Sequence, residues 1–429
     1  MTAEQKAKTK KALGVTVQIA ALLVITLQYA KSFSTPAMSA IGEAFAPAGV
    51  DSLMLKNIEG LPSLMAIVGA FAVGIMERYM KKKTMLIIAM GCTLVGGVAA
   101  GFMPETTEGF YGILVCRVIL GFGRGMIFPM ASSFIADLFE GKQRDRLMSF
   151  KTAVGGLSGS LFQLIGGFLA VLSWRYSFIG YLFIVPIILM IVFWLPEPDV
   201  KPAGVTADGK KGSALKSITI AAWIVIFLAG IYNFFQFSYF TNISLCIKEA
   251  GLGDTGFAGI ISSTETLASA VGAICYGAFL KGRLRGFDLP IALIGEAIGF
   301  FILTNVISVP GYYAGAIIYG FAFGMFNPAL ILQIVKVLPK EGATLGLSLL
   351  AAAQNLCQYF SAYVLAFLAG IMGVAGTGQL AGWNVSWPLA TAMAVLVAII
   401  IVATKTKHPE LIAGLREPAA PTLDERKDE

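Results

Sequence analysis

The sequence has a single histidine, His408, among 429 residues, and only 13% of its residues are charged. A soluble domain carries about 25% charged residues, which excludes a water-facing surface for most of this chain. One histidine near the C-terminus excludes a histidine-based metal or catalytic site within the apolar segments. The five cysteines, Cys92, Cys116, Cys246, Cys275 and Cys357, are scattered through apolar stretches. Their spacing fits neither a zinc site nor a secreted disulfide framework. No metal, no cofactor and no enzymatic centre are therefore expected. The N-terminus, MTAEQKAKTKKALGV, lacks a short apolar core followed by a small-residue cleavage site. The first apolar run thus reads as a retained span.

What is abundant is apolar. Hydrophobic residues make up 57% of the chain, and the mean hydropathy is +0.78. The 48 glycines suit close helix packing in a membrane. A helix needs about 20 apolar residues to cross the hydrocarbon core. At that length the chain divides into twelve spans, near 13–34, 53–79, 84–102, 110–139, 146–172, 175–195, 217–246, 255–280, 287–308, 311–338, 343–372 and 384–404. Twelve is even, so both termini share one side. The N-tail, the C-tail and the loops after even spans hold most lysines and arginines, among them Lys8, Lys81, Lys82, Lys83, Lys142, Arg146, Lys210 and Arg283. The opposite loops hold Lys56, Arg175 and Lys248. That asymmetry puts both termini in the cytoplasm. It also accounts for the net charge of +7 with the lipid bilayer as partner and no nucleic acid. The short loops and tails suit a bacterial inner membrane, and nothing in the sequence requires more than a monomer.

A repeat organises the spans. Gly121–Pro129 reads GFGRGMIFP and Gly320–Pro328 reads GFAFGMFNP, an offset of 199 residues (320 less 121). Both fit G-F-x-x-G-M-x-x-P, in spans four and ten. GIMERYMKKKTMLIIAMG at 74–91 likewise parallels GAFLKGRLRGFDLPIALIG at 277–295. The chain thus reads as two similar halves. An N-terminal six-helix bundle covers 1–195, a polar linker 196–216, and a C-terminal six-helix bundle with a short tail 217–429. A parallel repeat of this kind is used by alternating-access carriers.

These features resemble the major facilitator superfamily over nearly the whole chain. Its loop between spans two and three typically reads G-x-L-x-D-R-x-G-R-K/R-K/R. Here VGIMERYMKKK keeps the acid–arginine pair as Glu77–Arg78, departs at Met80 and keeps the basic cluster. Its span-four motif, R-x-x-x-G-x-G, is present as Arg117, Gly121 and Gly123. The later acid and arginine resemble Asp137 and Arg144. The resemblance implies an all-α membrane protein with twelve transmembrane helices in two pseudo-symmetric six-helix bundles around a central cavity. Spans one, four, seven and ten would line that cavity, and spans two, five, eight and eleven would form the seam. Glu77, Arg78, Asp137 and Arg144 would form a cytoplasmic gate.

Charges inside the membrane are functional candidates because each costs several kcal/mol. Arg124 lies midway along span four, with Arg117 two turns earlier on nearly the same face. Lys31 is about 30 Å along span one from the last N-tail lysine, which puts it in the outer half or at the outer end. There it either meets the substrate or snorkels to the interface. The repeat partners of Arg124 and Arg117 are Phe323 and Ala316, so packing common to both halves does not require these charges. Arg124 contacts a substrate or pairs with a buried acid. Arg117 contacts a substrate or packs against neighbouring helices, as the family motif implies. Cations on one wall and Phe323, Asn327 and aromatics on the other suit a small organic anion of the carboxylate type. In GIYNFFQFSYF (230–240), Tyr232, Asn233 and Gln236 share a face at helical spacing. The embedded acids are Glu59, Glu265 and Glu296. Glu265, and secondarily Glu59, are candidates for coupling transport to H⁺. Glu59 lies near the outer end of its span, in reach of water. Glu296 has no assigned part.

LQYAKSFS (27–34) is also similar to the start of monocarboxylate transporters, which carry a lysine near this place. The competing reading is a proton-driven drug exporter. Its span-five hallmark, G-x-x-x-G-P-x-x-G-G, is broken here by Ser158, Phe162 and Gln163.

Overall fold

The computed structural model describes residues 14–77, 79–198, 219–281, 283–284, 286–337 and 343–407. Arg78, most of the linker and both tails lie outside the described residues. Helices account for nearly all the rest. Ten are long and apolar enough to cross a membrane: Ser52–Met76, Lys82–Phe102, Thr107–Leu138, Gly141–Leu172, Trp174–Trp194, Ile220–Glu249, Thr255–Leu280, Asp288–Asn305, Val309–Ile334 and Ala375–Ala403. Val15–Gln28 and Ala30–Ala48 form one more span, bent by 51°. Ala343–Ile371, 29 residues long, completes twelve. We number them one to twelve in chain order.

Local sequence explains where the helices begin. The Asp51 carboxylate accepts from Met54 N (2.7 Å) at the start of span two. Thr106, Thr219 and Asp254 do the same for spans four, seven and eight. Each supplies an acceptor to an amide that the first turn leaves unpaired.

Spans one and seven are both interrupted near their middle. Span one passes through short 3-10 turns at Ala30–Phe33 and Thr35–Ala37 before resuming at Met38. The Lys31 carbonyl accepts from Ser34 N (3.3 Å), and the Ser34 hydroxyl lies 2.9 Å from that carbonyl and 2.7 Å from Glu59 Oε1, with one proton to give to either. The bend starts at Tyr29, ahead of Pro36. Span seven breaks between Gln236 and Ser238.

The repeated glycines are the places where spans cross closely. A Cβ at Gly121 would strike Pro62, and one at Gly125 would strike the Ala66 backbone. In the second half a Cβ at Gly320 would strike the Glu265 backbone, and one at Gly324 the Ser269 backbone. The motif therefore docks span four on span two, and span ten on span eight. Its fourth position, Arg124 or Phe323, is free of that packing duty.

Two bundles result. Phe33, Phe45, Phe110, Phe134, Phe178 and Tyr181 are buried in the core of the first. The second has one cluster around Tyr232, Phe235 and Phe326, and another around Tyr239, Tyr312, Tyr319 and Trp383. The seam runs along spans five and eight, and spans two and eleven. Ser160 and Ser263 exchange bonds there, each hydroxyl donating to the other's carbonyl (3.3 and 2.8 Å). Tyr363 donates to Asn57 Oδ1 (2.9 Å) and Ser63 to Gln358 Oε1 (3.0 Å). At the face away from the termini, Ser244 donates to the Pro36 carbonyl (2.6 Å) and pairs with Ser39 Oγ (2.9 Å).

Candidate functional site

Lys31 stands in the break of span one, not at its outer end. The expectation of an outer position assumed that the span stops near residue 34, but it continues to Ala48. The Lys31 ammonium lies over the rings of Phe237 and Phe240, 5.0 and 6.0 Å from their centroids. A cation of the first half thus rests on aromatics of the second, at the break of span seven. Cation–π contact is stronger where water is excluded.

Arg124 is 8% exposed, midway along span four. Gln28 of span one holds it. With its amide turned to match the donor and acceptor around it, Gln28 accepts from Arg124 Nε (3.2 Å) and donates to the Arg124 carbonyl (2.8 Å). Nη1 is buried and has no hydrogen-bond partner. Glu59, Tyr29 and Tyr181 lie in electrostatic range, but no carboxylate pairs with the guanidinium among the described residues. Tyr29 is in electrostatic range of both Arg124 and Glu265.

Arg117 is placed differently from what a substrate contact requires. It is wholly buried in the first bundle. Nη1 donates to Tyr181 Oη (2.8 Å), and the guanidinium lies 4.8 Å from the Phe178 centroid. Arg117 lies on nearly the same face seven residues earlier, but at that depth Tyr181 and Phe178 of span six enclose the guanidinium.

The acids separate into two settings. Glu59 is 1% exposed rather than wet. Its Oε1 accepts from Ser34 (2.7 Å) and Thr35 (3.3 Å), both supplied by the broken segment of span one. Glu265 has Thr266 Oγ1 near Oε2 (3.0 Å), while Oε1 is buried without a partner. The same Thr266 hydroxyl reaches Gln163 Oε1 of span five (3.0 Å), so this corner joins the halves. The first half therefore carries Lys31, Arg124 and Glu59, and the second carries Glu265.

Tyr232, Asn233 and Gln236 do not act as one face. Tyr232 donates to Glu296 Oε1 (2.8 Å) and stacks on Phe326. Asn233 Oδ1 accepts from Gln358 Nε2 (2.9 Å) in the seam. Gln236 Nε2 donates to Tyr319 Oη (3.2 Å). Phe323 is half-buried and lies against Phe240 and Tyr319. Asn327, also half-buried, follows it one turn on.

The four residues expected at the gate part company. Glu77 and Asp137 are brought together, by Lys82 rather than an arginine. Its ammonium lies 3.1 Å from Glu77 and 2.6 Å from Asp137, and donates to Ser133 (2.8 Å). Arg144 pairs instead with its neighbour Asp145 at 3.9 Å. Arg78 lies outside the described residues. All the members found belong to the first half. Glu197 accepts from the amides of Lys82 (2.9 Å) and Lys83 (3.0 Å), tying the start of the linker to span three.

Sequence reasoning missed Gln28 and Tyr29, whose roles depend on the break next to them. It also passed over Lys151, which already falls inside the expected span 146–172. Span five begins at Gly141, so Lys151 lies well inside it. A lone lysine within LMSFKTAVGG was the available signal.

This arrangement is that of a membrane carrier: two pseudo-symmetric bundles, broken spans one and seven, and buried charges in each half. The sequence pattern of the Major Facilitator Superfamily matches residues 20–362, and the chain belongs to that superfamily of transporters. It is similar to Multidrug resistance protein 1 of Bacillus subtilis (strain 168), with 24% identity over 234 residues, 53% of this chain and 59% of that protein. The chain spans under two thirds of the length of the curated relatives it matches. Among solved structures, the nucleoside transporter NupG superposes with a TM-score of 0.72 at 13% identity, covering 91% of this chain and 99% of that one. The xylose transporter XylE from E. coli, in an inward open conformation, gives 0.69 at 19% identity, covering 94% and 99%. These likenesses establish the fold.

Proposed function

We propose that this transporter carries a small organic anion of the carboxylate type by alternating access, as a proton symporter. The observation that carries the reading is Arg124 Nη1, buried midway across the membrane with no partner and in electrostatic range of a second cation, Lys31; Arg117 Nε and Nη2 also lack partners, but inside the first bundle. An isolated buried donor on a charged group is costly unless something completes it. An anionic head at Arg124 and Lys31 would do so, with Phe240 and Phe323 against the apolar body. Glu265, across the seam and without a cation, is the proton carrier in this reading. Glu59 holds the break of span one beside the cations.

The moving bodies are 1–195 and 217–429, joined by 196–216, in a protein that works as a monomer. Both termini lie in the cytoplasm of a bacterial cell, by the distribution of lysine and arginine. The polar bonds joining the halves lie between the midplane and the face away from the termini, which corresponds to a state closed to the outside.

The multidrug protein among the relatives favours a second reading, a proton-driven exporter of lipophilic drugs. A thermal-shift screen of the detergent-purified chain separates the two. Benzoate, cholate and benzenesulfonate are compared with tetraphenylphosphonium. A ligand at a hundredfold excess over Kd stabilises the folded state by about 2.7 kcal/mol. Stabilisation by the anions alone supports the carrier of anions. Stabilisation by the cation alone supports the exporter.

A further inference from the structure

Arg124, Phe128 and Ser132 succeed one another at four-residue steps on one face of span four. In the reading above Arg124 meets the ligand, and the two below it lie on the same side of the helix, toward the termini. Phe128 is 52% exposed, although the residues on either side of it are largely buried. Lys151 reaches across from span five, donating to Ser132 Oγ, with its ammonium 5.8 Å from the Phe128 centroid. Its side chain is half-buried and forms no ion pair among the described residues. The helix that matches span five in the second half, Ala343–Ile371, has no charged residue. Packing common to the two halves therefore does not call for this lysine.

We infer that Lys151, Ser132 and Phe128 form a second anion-holding position, between Arg124 and the face that bears the termini. It would take the same class of ligand as the midplane site: one anionic head on a compact apolar or aromatic body. The ammonium has donors to spare beyond its bond to Ser132, and the Phe128 ring offers the apolar contact. Eight residues of helix set this position about 12 Å from Arg124 along the span. That separation lets a ligand leave one cation for the next without crossing the membrane interior unpaired. Its use is directional. It meets the ligand when the cavity opens toward the termini and is shut off when the cavity opens the other way. This inference rests on the anion reading above.

The test uses the full chain in proteoliposomes with benzenesulfonate, which keeps its charge near neutral pH. Half-saturating concentrations are measured on each face for the wild type, Lys151→Gln, Lys151→Arg, Ser132→Ala and Arg124→Gln. Lys151→Gln should raise the value on the face bearing the termini about tenfold, the worth of a hydrogen bond to a charged group. The far face should be unchanged, and Lys151→Arg should stay near the wild type. Equal values for Lys151→Gln and the wild type on both faces overturn the inference. So does a matched change on both faces that Ser132→Ala shares along with a lower melting temperature, because that marks a tether between helices. If Arg124→Gln abolishes transport and Lys151→Gln alters nothing, this inference alone falls. If the wild type moves none of benzenesulfonate, benzoate and cholate, the anion reading falls and this one with it.

Discussion

The Lys248 ammonium lies 2.9 Å from the Glu43 carboxylate, and this pair ties the second half to the first at the face away from the termini. Both side chains are more than half exposed, at 51% and 59%. An exposed ion pair is worth about 0–1 kcal/mol, so it cannot hold that face shut by itself. Ser244 is the stronger tie. It is 2% exposed and bonds the Pro36 carbonyl, Ser39 Oγ and Ser39 N.

Ser244→Ala should therefore open the far face more than Lys248→Gln does. Losing a buried donor with its partners left unpaired costs about 1–3 kcal/mol. That is enough to shift the balance of conformations about tenfold. Distances between spin labels on spans one and seven measure it. A larger opening in Lys248→Gln than in Ser244→Ala would contradict this ranking.

Arg117 belongs to the bundle. Arg117→Ala should lower stability by about 3 kcal/mol or more, because a core contact is lost and Tyr181 loses its donor. Anion affinity in the protein that still folds should stay close to the wild type. Melting temperature and Kd measured on one preparation separate the two effects.

The glycine motif gives a paired prediction. Gly125→Ala and Gly324→Ala each force a methyl group into the backbone of the facing span. Backbone cannot yield as a side-chain tip can, so each should cost at least the 1–3 kcal/mol typical of overpacking. Gly74→Ala, where a Cβ meets nothing within 4 Å, serves as the control and should be near neutral.

Glu265→Gln keeps an acceptor for Thr266 and removes the proton-carrying group. Uptake driven by a pH gradient should fall to the level seen without a gradient, while exchange of internal for external anion persists. Accumulation at the wild-type level in Glu265→Gln would remove Glu265 from the coupling.

The spans and the repeat were legible because apolar length and the spacing of glycines are written directly in the sequence. Gly121, Gly125, Gly320 and Gly324 repeat because two pairs of helices cross in the same way. Helix phase was harder to read, since a helix apolar all round gives little hint of which side faces a cavity. Arg117 and Arg124, seven residues apart, looked alike, but Tyr181 and Phe178 of span six enclose the first. Lys31 was misplaced because KSFSTPA reads as the end of a span. In the fold, Ser34 satisfies the broken backbone, and the chain crosses onward. Lys82 was taken as one of three equivalent loop lysines. Only the fold sets its ammonium between Glu77 and Asp137.

The central claim is that Arg124 receives an anion at the midplane. The most direct measurement is the dissociation constant of the best-stabilising anion, by titration calorimetry, for the wild type and Arg124→Gln. Glutamine retains polarity and most of the length but has no charge. The account predicts a loss of affinity of at least tenfold, as expected for a hydrogen bond to a charged group, with the melting temperature of the unliganded protein little changed. An unchanged dissociation constant would contradict it and leave Arg124 as a structural partner of Gln28.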